Sequence, residues 1–188
     1  MKKKKLGRTT KLQHQIDIAV VLLSPIFAAI ASEVFHFNYF ISTLLFFGVP
    51  AAYISWRKPV LIQKTLIFTL IFFPVCTLIF DYLAYLDFSW WVPNSAFRFL
   101  NNGIPIEDVP CTFLWVYFSV IFWEYFLDHD RNKEKIDPHI RYLIIFLAII
   151  LAIFIGLFWI KPEYLIQPYF YFKFGLVMII APLVAVLG

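Results

Sequence analysis

Residues 142–160 read YLIIFLAIILAIFIGLFWI, nineteen residues without a charge. A helix of about 20 apolar residues crosses a ~30 Å hydrocarbon layer. Lipid offers open backbone groups no hydrogen-bond partner, so a spanning segment of this kind is helical. Five more apolar segments surround it, at about 16–35, 39–56, 64–86, 106–127 and 170–188. Hydrophobic residues make up 62% of the chain and charged residues 15%, more apolar surface than a soluble domain of 188 residues can hide. The sequence therefore predicts an all-α, polytopic membrane helical bundle of about six transmembrane helices. Residues 1–15 form a basic tail and 16–188 the transmembrane domain.

Orientation follows from the basic residues. With the N-terminus cytoplasmic, Lys2 to Lys5, Arg8, Lys11, Arg57, Lys58, Lys64, Arg131, Lys133, Lys135 and Arg141 fall inside. Only Arg98, Lys161 and Lys173 fall outside. Thirteen against three orients the chain N-in by the positive-inside rule. The run Lys2-Lys3-Lys4-Lys5 leads into an apolar span, which reads as a topology signal that touches anionic lipid and not as a nucleic-acid tail. No convincing Ala-x-Ala site follows, so the first span is expected to be retained. The reading is an integral, multi-pass protein of a prokaryotic cytoplasmic membrane.

Two connectors differ in character. Asp128 to Pro138 (DHDRNKEKIDP) is a charged, solvated loop. Asp87 to Pro105 is rich in Trp, Phe, Asn and Pro, and suits a segment folded into the interface or back into the bundle. Rise along a helix of ~1.5 Å per residue puts Asp81 about 25 Å above Lys64, near the outer face. By the same count Glu33 lies at the outer end of the first span, and Glu107 and Asp108 open the fourth. Four carboxylates from three helices share one depth. Charge at such depth is costly, which makes each a functional-site candidate. Acids also suit the first turn of a helix and the membrane surface, and Pro105 is a natural helix opener.

Helical spacing puts Asp108, Thr112, Trp115 and Ser119 on one stripe, with Glu107, Cys111, Leu114 and Phe118 on the next. Tyr82 and Tyr85 lie beside Asp81. Two carboxyls close together in a low dielectric cannot both ionise cheaply, so one is expected to hold a proton and to act as a donor. Aromatic faces around it would favour a cation. Glu124, deep at the inner end, is expected to pair with Arg131 or Arg141 or to meet water. Cys76 and Cys111 read as packing residues. The four histidines carry no site, no metal cluster is spaced for a ligand set, and no cofactor is implied.

The order Asp81, Ala84, Trp90 or Trp91, then Pro105-Ile106-Glu107-Asp108 opening an aromatic helix, resembles the lycopene cyclase domain family, the heterodimeric or fused membrane carotenoid cyclases. The likeness covers about residues 16–127. It departs from the family in Asp108, where a second Glu is usual, and in Val109-Pro110-Cys111-Thr112, where Phe is usual. The resemblance implies an acid-initiated, redox-neutral ring closure of a linear polyene such as lycopene, without a flavin. Glu107 would be the proton donor. Asp108 would modulate it or take the final proton, and Asp81 would be a second donor or an orienting partner. Trp90, Trp91 and Trp115 would stabilise the cation, and Tyr82, Tyr85, Glu33, Thr112 and Phe118 would line the substrate site. Family activity uses two such domains, so a homo- or heterodimer with a second cyclase-domain chain is implied; residues 142–188 hold two further spans and at most a partial second unit. The partners expected are a hydrophobic polyene, membrane lipids and that second chain, with no nucleic acid. Two other classes remain open: a non-catalytic membrane subunit that binds a lipid, carotenoid or partner bundle, and a transporter with a carboxylate proton relay. A prenyltransferase is disfavoured because paired Asp-x-x-x-Asp signatures are missing.

Overall fold

Prolines and short polar side chains decide where the apolar segments bend and stop. The first helix, α1 (Lys11–Phe35), contains Pro25, which has no N–H for the Val21 carbonyl one turn earlier. Ser24 Oγ donates to that carbonyl instead at 3.2 Å, so the helix continues through lipid with the acceptor satisfied. It ends at His36, a left-handed residue with φ 50°, where Phe37 N reaches back to Ser32 O at 3.1 Å. That is the usual wrapped C-terminal turn, with His in place of Gly. Asn38 then caps the next helix, its side-chain oxygen accepting from Ile41 N at 2.9 Å.

This computed structural model describes residues 11–93, 95–101, 103–128, 140–170, 172–173 and 175–176. The chain is mostly helical. Among the described residues, five helices are long and apolar enough to cross a membrane. Besides α1 they are α2 (Tyr39–Arg57), α3 (Pro59–Leu86), α4 (Asp108–Leu127) and α5 (Ile140–Ile160). Most of the expected sixth span, 170–188, lies outside the described residues, as do residues 1–10 and most of the charged loop after Asp128. Among the described residues the helices are joined by a small hairpin, β1 (Arg98–Phe99) against β2 (Ile104–Pro105), antiparallel with Phe99 opposite Ile104.

Among the described residues, three helices contain a π turn: Leu44–Gly48 in α2, Thr77–Asp81 in α3 and Trp123–Leu127 in α4. The wider turn re-aims the side chains it carries and recurs at functional sites. Pro50 follows the first and Pro74 precedes the second, each removing one backbone donor from the ladder. Lys58, held out of the helical region at φ −140° and ψ 74° ahead of Pro59, breaks α2 from α3.

The structure divides into two compact units, Met1–Leu66 with Leu114–Lys133, and Ile67–Phe113 with Glu134–Gly188. In the first, Ile54 and Ile121 are fully buried, with Val21, Ala51, Leu61 and Val116 nearly so. Packing of this kind in lipid comes from close van der Waals contact, with little hydrophobic drive. The start of α1, the end of α2, the start of α3 and the end of α4 meet there through polar side chains. In the second unit, Ile79, Tyr82, Ile104, Phe154 and Leu165 form the core. Tyr82 meets Phe154 edge-on at 5.8 Å and Phe158 at 5.4 Å.

Candidate functional site

The second unit brings Asp81 and Asp108 together. Asp81 ends the π turn of α3 and is half-buried. Asp108 opens α4 and is 2% exposed. Thr112, one helical turn past Asp108, donates from Oγ1 to Asp81 Oδ2 at 3.3 Å. Trp90 Nε1 donates to Asp108 Oδ1 at 3.4 Å. The arrangement is two carboxyls on neighbouring helices, Asp81 held by the Thr112 hydroxyl and Asp108 by the Trp90 indole N–H. A pair of this kind can give up one proton and take one back.

Glu107 is placed differently from its neighbour. Its carboxylate accepts from Ser95 Oγ at 2.5 Å and from Ala96 N at 2.9 Å. The Ser95 bond and the Ala96 amide hold the Glu107 carboxyl below its ordinary range, with Arg98 adding to the effect. It is therefore ionised and tied to the connector. Asp87 is fixed in the same manner by Ser89 Oγ and by Phe170 N at 3.0 Å; these bonds hold its carboxyl low as well.

The tryptophan connector is a built layer. Trp91 stacks on Tyr85 at 6.2 Å, and the Arg98 guanidinium lies 3.8 Å from the Trp91 ring centre on the other contact. Arg98 also donates to the Val92 carbonyl. The hairpin turns through Leu100 and Asn101, both left-handed at φ 49° and 56°. That turn brings Gly103 between Tyr82 and Tyr85, where an added Cβ would sit 2.9 Å from each ring. Tyr82 and Tyr85 thus seat the hairpin, which in turn delivers Glu107 and Asp108 to their positions.

The remaining expected site residues, Glu33, Trp115 and Phe118, belong to the first unit. Glu33 is exposed on α1. Trp115 is 42% exposed, and Phe118 packs on Phe47 at 6.3 Å. The stripe Asp108, Thr112, Trp115, Ser119 therefore changes character along α4. Its first two members are buried and its last two are exposed.

The first unit holds a polar cluster that sequence reasoning missed. Asp17 is 1% exposed. It accepts from Tyr53 Oη at 2.6 Å, from Arg57 Nε at 2.9 Å and Nη2 at 3.2 Å, and from Tyr125 Oη. Lys64 Nζ lies 2.7 Å from the Glu124 carboxylate, the partner that Glu124 takes among the described residues. The signal for Asp17 was its position, an acid in the first turn of an apolar span, where it demands a partner. Among the described residues no three His, Cys, Asp or Glu side chains gather as a metal site.

No family model, curated protein or solved structure matches this chain.

Proposed function

We infer that the protein is a membrane isoprenoid cyclase that closes a ring on a linear polyene such as lycopene, by proton transfer and without redox change. The observation that carries this reading is the pair of bonds Thr112 Oγ1 to Asp81 and Trp90 Nε1 to Asp108, with Thr112 one helical turn past Asp108. The resemblance of its sequence frame to the lycopene cyclase domain supplies the substrate class. One carboxyl of the pair, protonated, adds its proton to a terminal double bond. The tertiary cation formed is attacked by the next double bond, which closes a six-membered ring. The other carboxylate removes a proton from the ring, so atoms and charge balance. Trp90, through its N–H bond, holds Asp108 in place for the proton transfer. General acid catalysis of this type contributes ~10²–10⁴-fold. Glu107, already ionised and bound to the connector, becomes the residue that positions Asp108, and the donor role passes to the pair.

The same reading takes the chain as six spans with a cytoplasmic N-terminus in a prokaryotic cytoplasmic membrane, on the thirteen-to-three distribution of Lys and Arg. It takes a second cyclase-domain chain, identical or related, as the partner that completes the activity.

One observation favours a second reading. Asp108 is nearly sealed from solvent, as it would be in a non-catalytic subunit whose acids only pin helices together. Expression in a lycopene-accumulating host, with and without a candidate partner chain, separates the two. Cyclic product that disappears with Asp108→Asn or Asp81→Asn supports the enzyme. Wild-type-like product from both variants, or a linear product in every arm, supports the subunit.

A further inference from the structure

The connector between α3 and α4 treats its charges unlike a solvated loop. Residues 87–107 carry three charged side chains, Asp87, Arg98 and Glu107, and the second unit meets each of them. Asp87 accepts from Ser89 Oγ and Phe170 N. Glu107 accepts from Ser95 Oγ and Ala96 N. Arg98 donates to the Val92 carbonyl and lays its guanidinium over the Trp91 ring. A loop in bulk water has its charges solvated without such bonds. A segment that leaves bulk water needs them, because an unpaired charge or polar group is costly there.

The side chains turned outward are apolar. Phe88 is 88% exposed, and Trp91, Phe97 and Ile106 are exposed as well. Ile106 N donates to Phe97 O at 2.9 Å, and Arg98, next to Phe97, lies on Trp91, so these three are neighbours. Phe88 sits at the end of α3. Ser89 N reaches Ala84 O at 2.9 Å and Phe88 N reaches Tyr85 O at 3.1 Å. In this wrapped C-terminal turn the left-handed position usually belongs to glycine. Phe88 holds it at φ 53°, a strained conformation for a bulky side chain. Its ring is too exposed for packing within the unit to offset that strain.

Position selects the occupant. The connector runs from the end of Pro59–Leu86 to the start of Asp108–Leu127, both long and apolar enough to cross a membrane, so it lies at a membrane surface. Aromatic side chains concentrate at that level. A protein partner would ask for about one hydrogen bond per 100–200 Å² of contact, and the three charges are already turned inward. Lipid asks for none.

We propose that the connector lies in the lipid interface, with Phe88, Trp91 and Phe97 inserted below the phosphate level. The inference does not rest on the cyclase reading. The test is spin labelling of the full chain in phosphatidylcholine vesicles. Phe88→Cys and Phe97→Cys are each labelled with a nitroxide after the two free cysteines, Cys76 and Cys111, are changed to Ala. Collisions with oxygen and with a water-soluble nickel chelate give the depth. Both labels are expected about 5–10 Å below the phosphates, the depth of an interfacial amphipathic segment. A second measurement leaves both cysteines in place. Trp91 emission, taken as the wild type minus Trp91→Phe, is expected to be quenched by bromine on the lipid chains and spared by iodide in the water. Either label at or above the phosphate level overturns the proposal. So does Trp91 emission quenched by iodide and spared by bromine, or a fixed label-to-label distance between two copies at these sites.

Discussion

Thr112 Oγ1 donates to Asp81 Oδ2 across 3.3 Å, so the fourth apolar helix is tied to the third at a carboxyl and not through packing alone. If Asp81 works with Asp108, this bond positions it. Thr112→Val should lower cyclisation about tenfold or more, the scale of one hydrogen bond to an ionisable group. Thr112→Ser keeps the hydroxyl and should restore most of the rate. Product yield at equal protein level in membranes checks both. A valine variant as active as wild type would show that Thr112 only packs.

Glu107 gives the pH dependence. Ser95 and Ala96 favour its ionised form, so its folded carboxyl lies below the ordinary 4.5. Its stabilising contribution is complete above that value and is lost as pH falls through the lower, folded one. Glu107→Gln should melt about 2–4 °C below wild type at neutral pH, the scale of a single lost hydrogen bond. The gap should close on acidification, read from thermal unfolding in detergent. A gap that widens as pH falls would contradict the assignment.

Gly103 is closely packed between two tyrosine rings. A methyl group there meets Tyr82 Cδ2 and Tyr85 Cδ1, each at 2.9 Å. Tyr82 is 5% exposed and edge-packed on Phe154 and Phe158, so it has little room to yield. Gly103→Ala should destabilise by about 1–3 kcal/mol. It should also disturb the Trp91–Tyr85 stack, visible as a change in tryptophan fluorescence. Unchanged melting and emission would mean that the rings move aside freely.

Asp17 and Arg57 form an ion pair whose acid is 1% exposed and whose base is 24% exposed. Removing one partner leaves a charge at depth. Asp17→Ala should cost about 3 kcal/mol, the low end for a buried pair because Arg57 keeps some solvent. Arg57→Leu combined with Asp17→Ala should recover part of the loss. A double-mutant cycle on thermal stability measures the coupling, and additive effects would show that the pair contributes nothing.

How much of this was readable beforehand depends on the range of each interaction. The spans were legible because an apolar run such as 142–160 needs no partner to declare itself. The common depth of Asp81 and Asp108 followed from helical rise, and Thr112 followed from one helical turn past Asp108. Asp17 was not legible as a cluster, because its partners lie 36, 40 and 108 residues away. The binding of Glu107 by Ser95 depends on a hairpin whose left-handed Leu100 and Asn101 carry no glycine signal. The π turn that presents Asp81 shifts its side chain off the regular helical register, which a 3.6-residue count cannot show.

The central claim is that a carboxylic acid protonates an olefin. Membranes carrying the protein, with a second cyclase-domain chain where needed, should be supplied with lycopene in deuterated buffer and the product mass recorded. The account predicts a cyclic product one mass unit heavier for each ring closed, absent with Asp108→Asn and Asp81→Asn. Cyclic product that gains no deuterium, or that persists in both variants, would contradict it.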